Sequence, residues 1–182
     1  MLTDDELYRQ YLSGDPLAGD ALMLRNKGSL TAYLSAFLHS AEDAEDLMLD
    51  CFTVILVDKP KITEGNFRAY LYRVARNKAN RLWRLKLKHR EFVLDESLTS
   101  QGLSPEDQVG LHERDAVLSL CLNRIAPQYR EALWLVYVLD MRYAQAADVL
   151  GCSVKKIDHL LDNGKKRLRQ ELEKEGIPDA DK

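Results

Sequence analysis

The stretch "AADVLGCSVKKIDHLL", residues 146–161, places a glycine between two short apolar-periodic segments. Three positions set its reading. Ala147 is small enough to let a second helix cross closely. Gly151 tolerates the positive φ that a tight turn demands, because it has no Cβ to clash. Ile157 supplies a branched apolar side chain six residues later. Val149, Leu150, Val154, Ile157 and Leu161 fall where they can face a common core, and Ser153 suits the N-cap of the second helix. This spacing predicts a helix-turn-helix. The same residues also fit a plain helical hairpin.

The outward side of the second helix separates these readings. It offers Ser153, Lys155, Lys156, His159 and Asn163, followed by "KKRLR" at 165–169 with Lys165 and Arg167. The N-terminal end of such a helix is the part that enters a major groove. Lysine and histidine there can donate to guanine or phosphate. Asp158 would repel phosphate; it could instead accept from a cytosine amino group or pair with Lys155 or Lys165. The basic run at 165–169 also suits a helix C-terminus, where cations offset the dipole.

Working outward, nearly all of the 182 residues read as helix. In the C-terminal part the pattern gives helices at 111–124, 127–139, 143–150 and 153–172, with Pro127 at a helix start, and "GIPDADK" as a frayed tail. In the N-terminal part Thr3 and Glu6 form a capping box for a first helix. "GDP" at 14–16 ends it, and Pro16 opens the next. "NKGS" at 26–29 is expected to break the chain again. Ser40 caps an acidic helix, "AEDAEDLMLDCFTVILV". "DKPKITEGN" at 58–66 is a loop, and Asn66 caps a long helix running to about His89. The polar segment "DESLTSQGLSPEDQ" reads as a linker. The expected architecture is therefore all-α. Two small helical domains, residues 1–90 and 111–175, are joined by a flexible linker at 91–110.

Charge is unevenly placed although the net charge is only −3. Residues 1–60 carry four Lys/Arg against eleven Asp/Glu, whereas residues 61–90 carry ten Lys/Arg against Glu64 alone. Such asymmetry suggests separate faces for separate partners. In "NFRAYLYRVARNKANRLWR", 66–84, Phe67, Leu71, Val74, Leu82 and Leu85 share one helical face. Arg73, Arg76, Asn80 and Arg84 share the other, with Tyr72 and Trp83 at its edge. Cations hold a phosphate backbone, and rings can stack on unpaired bases. The mixture suits melted or single-stranded DNA; a surface helix whose rings pack on its neighbours is the plainer alternative. Lys78 falls on the apolar side, where it is expected to snorkel or lie under the neighbouring loop.

Other chemistries are poorly served. Cys51, Cys121 and Cys152 are far apart and odd in number, which argues for free thiols rather than disulfides or a zinc site. The four histidines, His39, His89, His112 and His159, are scattered, and there is neither a phosphate-cradling glycine loop nor a nucleophile elbow. Glu42, Asp43, Glu45, Asp46 and Asp50 would be spread around a helix with no histidine beside them, so a solvated or docking face fits better than a metal site. No apolar run is long enough to span a bilayer, and "MLTDDELYRQYL" lacks a signal core. A cytoplasmic, non-enzymatic protein without cofactor, metal or membrane insertion is expected.

Taken in order, these features resemble the extracytoplasmic-function sigma factors of bacterial RNA polymerase. "AEDAEDLMLDCF" followed by "FRAYLYRVARNKANRLWR" is similar to the family's region 2, and "FRAYLYRVARN" is the most specific stretch. "IAPQYREALWLVYVLDMRYAQAADVLGCSVKKIDHLLDNGKKRLRQEL" is similar to region 4. The resemblance implies a protein that binds core RNA polymerase and promoter DNA, with an anti-sigma factor as a further partner of the family. It implies core-polymerase contacts at Asp43, Asp46, Leu49 and Asp50. It implies minus-ten melting by the 58–66 loop with Arg68, Tyr72, Arg73, Arg76, Asn77, Asn80, Arg81 and Arg84. It implies minus-thirty-five reading by Ser153, Lys155, Lys156, His159, Lys165 and Arg167. The sequence departs from the family pattern at Leu49, where glutamine is usual, and at Arg81, where an acid is common. Asp158 and Leu160 stand where basic residues are usual, which implies a divergent or weakly bound upstream element. Two other readings stay open: a degenerate sigma-like protein acting through protein contacts, and a helix-turn-helix regulator that works without polymerase.

Overall fold

The structure, a computed structural model, describes residues 2–92 and 113–177, with side chains for 2–88 and 117–177. The chain divides into two units, Met1–Gln101 and Gly102–Lys182. Both are helical, and no strand occurs among the described residues. Nearly all of the expected linker, 91–110, and the end of the expected tail lie outside the described residues, as do His112 and the side chain of His89.

In the first unit, α1 (Asp4–Leu12) starts at the expected capping box: the Glu6 N–H donates to the Thr3 hydroxyl, and the Glu6 carboxylate accepts from the Thr3 N–H at 2.7 Å. Asp15 caps α2 (Pro16–Leu38), with Pro16 in its first turn. Ser40 caps α3 (Ala41–Asp58), its hydroxyl accepting from the Asp43 N–H. α4 (Phe67–Phe92) follows the 59–66 loop. Leu22, Leu30, Leu34, Met48, Phe52, Ile55, Phe67 and Leu71 are all nearly or fully enclosed between these helices.

The expected break at 26–29 does not occur; α2 runs unbroken for 23 residues. The reason is tertiary. Asn26 is 2% exposed, and its amide donates to the Leu22 carbonyl at 3.0 Å and to the Asp4 carboxylate at 3.2 Å. The Ser29 hydroxyl donates to the Asn26 carbonyl. A glycine inside a helix costs about 1 kcal/mol. Burying Leu22, Leu30 and Leu34 returns about 1.5–3 kcal/mol each, so packing overrides the local signal.

The second unit contains α5 (Glu113–Arg124), α6 (Pro127–Leu133), α7 (Tyr143–Leu150) and α8 (Val154–Lys174). The expected 127–139 helix is present but widens into a π turn at Trp134–Val138, where the Leu139 N–H reaches back to the Trp134 carbonyl. α6 packs closely on α8 at Gly164: a Cβ there would lie 3.2 Å from Leu133 Cδ1 and 3.3 Å from Tyr129 Cβ. Arg124 ties α5 to the end of α8, reaching Glu175 at 2.5 Å and Glu171 at 3.7 Å.

The α7–turn–α8 unit has the expected frame. Ala147 and Ile157 are buried, and Gly151 takes φ 64°. The Cys152 N–H closes the turn on the Ala147 carbonyl, and the Ser153 hydroxyl accepts from the Lys156 N–H. Two details differ from expectation. Val154 is 48% exposed, because the first turn of α8 points away from the core. Leu160 is buried instead, beside Leu161, so its register belongs to the core and not to the outward face.

Candidate nucleic-acid interface

α4 is buried along one face only as far as Ala79. Phe67, Ala69, Leu71, Tyr72, Ala75 and Ala79 are enclosed, and the small alanines allow close approach of the neighbouring helices. Beyond that point α4 is mostly exposed. The spacing i, i+4, i+8 then aligns Arg76, Asn80 and Arg84, while Asn77, Arg81, Leu85 and Lys88 line the adjacent row. Their long side chains border a furrow of about 430 Å³ along this one helix. Four cations and two side-chain amides thus share one surface. Guanidinium groups bind phosphate bidentately, and side-chain amides can both donate to and accept from base edges.

Five residues expected on the DNA-facing side, Arg76, Asn77, Asn80, Arg81 and Arg84, come together in this furrow. Three others do not line it. Arg68 is half-buried with its Nε enclosed. Arg73 lies over the Tyr70 ring at 5.1 Å. Tyr72 requires a correction: it is fully buried and meets Tyr33 edge to face, so its ring offers no stacking surface. It sits one residue from Leu71 on the inward side, where an aromatic ring gains more from burial than from water. Leu85 also departs from expectation. Assigned to the apolar face, it is 52% exposed and lines the furrow, because the packed part of α4 has already ended. Lys88 was missed although its spacing from Arg84 and Arg81 marks it. Trp83 is 41% exposed.

The loop before α4 is held by α1. The Asp5 carboxylate accepts from the Gly65 N–H at 2.9 Å and the Phe67 N–H at 3.2 Å, satisfying an otherwise open donor at the helix start. The Tyr8 hydroxyl donates to the Pro60 carbonyl, and the Tyr11 hydroxyl to the Leu56 carbonyl, both at 2.7 Å. Burial pushes the Tyr8 phenol up to about 12, which keeps it a donor. Lys61, Thr63 and Glu64 stay exposed on the loop.

On α3, Asp46, Leu49 and Asp50 are exposed, together with Thr53 and Val57. Leu49 and Val57 are 50% and 70% exposed, an apolar line flanked by carboxylates. Asp43 is half-buried. Its carboxylate is in contact with the Lys86 ammonium of α4, which holds it below the usual carboxylate range. Asp50 lies 3.6 Å from Lys78. Lys78 therefore reaches across to α3, and this ion pair accounts for its place on the inner side of α4.

On α8, Lys155, Lys156, Asp158 and His159 are exposed on the first two turns. Asp158 makes no ion pair among the described residues. His159 is engaged by Asn163, whose amide donates to the His159 carbonyl at 2.8 Å and lies 3.2 Å from its Nε2. Lys165 sits 4.8 Å from the Tyr137 ring, and hydrogen bonding by the Tyr137 hydroxyl raises its ammonium above the ordinary value. Arg167 lies 5.5 Å from the Tyr129 ring. Both cations are thus packed on the aromatic side of their own unit.

Among the described residues no group of three His, Cys, Asp or Glu side chains converges as a metal site would require. No helix among them is long and apolar enough to cross a membrane.

Known proteins share this combination of units. The family profile described as "Sigma-70 region 2" matches residues 22–88, and that described as "Sigma-70, region 4" matches residues 116–168. The chain belongs to the sigma-70 family, in its extracytoplasmic-function branch. The sigma factor is 27% identical to RNA polymerase sigma factor NccH of Alcaligenes xylosoxydans xylosoxydans, over 91% of this chain and 92% of the relative. It is 26% identical to the ferric citrate uptake sigma factor FecI of Escherichia coli, over 78% and 83%. In fold it is similar to CnrH in its complex with the cytosolic domain of CnrY, with a TM-score of 0.67 and 23% identity over 93% of this chain and 97% of that one. It is also similar to the sigma factor RpoE in complex with the anti-sigma factor NepR from Bartonella quintana, with a TM-score of 0.66 and 22% identity over 85% and 96%. Sigma factors are transcription initiation factors rather than enzymes.

Proposed function

We propose that this sigma factor docks on core RNA polymerase through the exposed face of α3, with Asp43, Asp46, Leu49 and Asp50 as its contacts. Residues 1–90 open the minus-ten element, using the α4 furrow and the loop at 59–66. Residues 111–175 read the minus-thirty-five element with the first turns of α8, chiefly Ser153, Lys155, Lys156 and His159. The observation that carries this reading is the furrow: Arg76, Asn77, Asn80, Arg81 and Arg84 line one surface of α4, the helix that follows the loop held by α1. Arg68, Arg73, Lys165 and Arg167 contribute less directly, since each lies at the margin of these faces or against a ring of its own unit. The α3 face also suits an anti-sigma factor, in keeping with relatives solved with CnrY and NepR. The protein acts where the polymerase is, in the cytoplasm.

Transcription in vitro with bacterial core polymerase and a promoter library tests this reading. Co-purification with core and start sites that depend on the added chain are expected. Failure to bind core, with tight duplex binding by the chain alone, would instead identify a polymerase-independent regulator.

One observation favours a second reading for α8. Asp158 and Asp162 are exposed on its outer side. A protein that acted mainly through protein contacts would tolerate them there. Charge reversal, Asp158→Lys, separates the two: a change in promoter output supports DNA reading by α8, and unchanged output supports the protein-contact reading.

A further inference from the structure

The contacts from α1 fall on both ends of the 59–66 loop and leave its middle open. Tyr8 holds the Pro60 carbonyl at the entrance, and Asp5 holds the Gly65 and Phe67 amides at the exit. The Tyr8 ring also packs on the Phe67 ring, with centroids 5.3 Å apart. Arg9 adds an exposed pair to Glu64 at 3.1 Å, and Lys59 lies over the Tyr11 ring at 5.1 Å. A seven-residue span from Pro60 to Asn66 would otherwise sample many backbone states, and a loop ordered only on contact with its ligand loses affinity to that ordering.

We propose that α1 is a positioning element for promoter recognition, with Asp5 and Tyr8 the residues that fix the loop in its reading shape before DNA arrives. The proposal rests on the promoter-opening role given above for the loop and α4. It assigns a part to residues that lie outside the α4 furrow, the α3 face and α8. The Asp5 carboxylate is suited to this task because one oxygen accepts from two amides two residues apart, which sets the angle at which the loop enters α4. Tyr8 is suited because it is 4% exposed, so its hydroxyl is directed by the core and not by solvent.

The test uses the full chain bound to bacterial core polymerase. A minus-ten single strand selected by the wild type from a random library is compared with a scrambled strand. The variants are Tyr8→Phe, Asp5→Ala and Asp5→Asn. Tyr8→Phe and Asp5→Ala are expected to lower the selected-to-scrambled affinity ratio about fivefold, as loss of one or two hydrogen bonds would. Affinity for core and for the scrambled strand should stay unchanged. Asp5→Asn keeps an accepting oxygen and should recover most of the ratio. Amide hydrogen exchange at Gly65 and Phe67 should rise in Asp5→Ala with no change at Leu30 or Leu34. A wild type that discriminates, with variants that discriminate equally well, overturns the proposal alone. A wild type that does not discriminate overturns the promoter-opening reading and the proposal with it.

Discussion

The Tyr33 and Tyr72 rings meet with centroids 5.2 Å apart and planes inclined at 69°. This edge-to-face pair joins α2 to α4 in the interior of the first unit. The Tyr72 hydroxyl is enclosed near Ser29 and Arg68 without well-formed hydrogen-bond geometry, and burial raises its pKa. Tyr72→Phe should therefore be neutral or slightly stabilising, whereas Tyr72→Ala should cost about 3–5 kcal/mol. Urea unfolding of the two variants measures this. Promoter binding by Tyr72→Phe should equal that of wild type, since the ring faces the core.

The three thiols should differ in reactivity. Burial pushes the Cys51 thiol up to about 12 and also raises that of Cys121, while Cys152 is only half-buried at the α7–α8 turn. The thiolate is the reacting species. Alkylation of the native protein at mildly alkaline pH should modify Cys152 first, with Cys51 protected until unfolding. Mass spectrometry of digested protein after timed labelling checks the order.

The Lys86–Asp43 contact sets an acid dependence. Lys86 depresses the Asp43 pKa, so its share of stability is present above the ordinary carboxylate range and is lost as pH falls through the lowered value. Both partners are partly exposed, which limits that share to under about 1 kcal/mol. Lys86→Gln should be less stable than wild type at neutral pH, and the two should converge in strong acid. Thermal melts across a pH series read the convergence.

Lys155 and Lys156 should act on DNA mainly as charges. Replacing either with glutamine is expected to reduce the slope of log affinity against log salt by about 1, at an upstream duplex bound by the polymerase complex. Lys165→Gln should change the slope less, because that ammonium already sits against Tyr137. Titrations at several salt concentrations distinguish them.

Much of this was legible from local chemistry. Caps at Thr3, Ser40 and Ser153, the Pro16 helix start and the Gly151 turn depend on nearest neighbours, so the sequence carries them directly. What escaped depends on residues far apart in the chain. The persistence of α2 through Gly28 draws on burial of Leu22, Leu30 and Leu34 and on Asp4, which holds Asn26 from another helix. The place of Lys78 requires Asp50 on another helix. Tyr72 looked like an edge residue because helical periodicity gives an angle and not the depth at which neighbours close over it. Leu85 looked buried because periodicity does not say where along a helix its neighbours stop.

The uninterrupted α2 has a mechanical consequence. With a joint at residues 26–29, the N-terminal and C-terminal halves of that helix could loosen independently, and α1 could peel away with one of them. Asn26 instead clamps the middle of the rod to Asp4 at the head of α1, and Arg25 grips the same carboxylate at 3.0 Å. The first unit is thereby built to yield all at once. A partner that pulls on one end of it meets the resistance of the whole bundle.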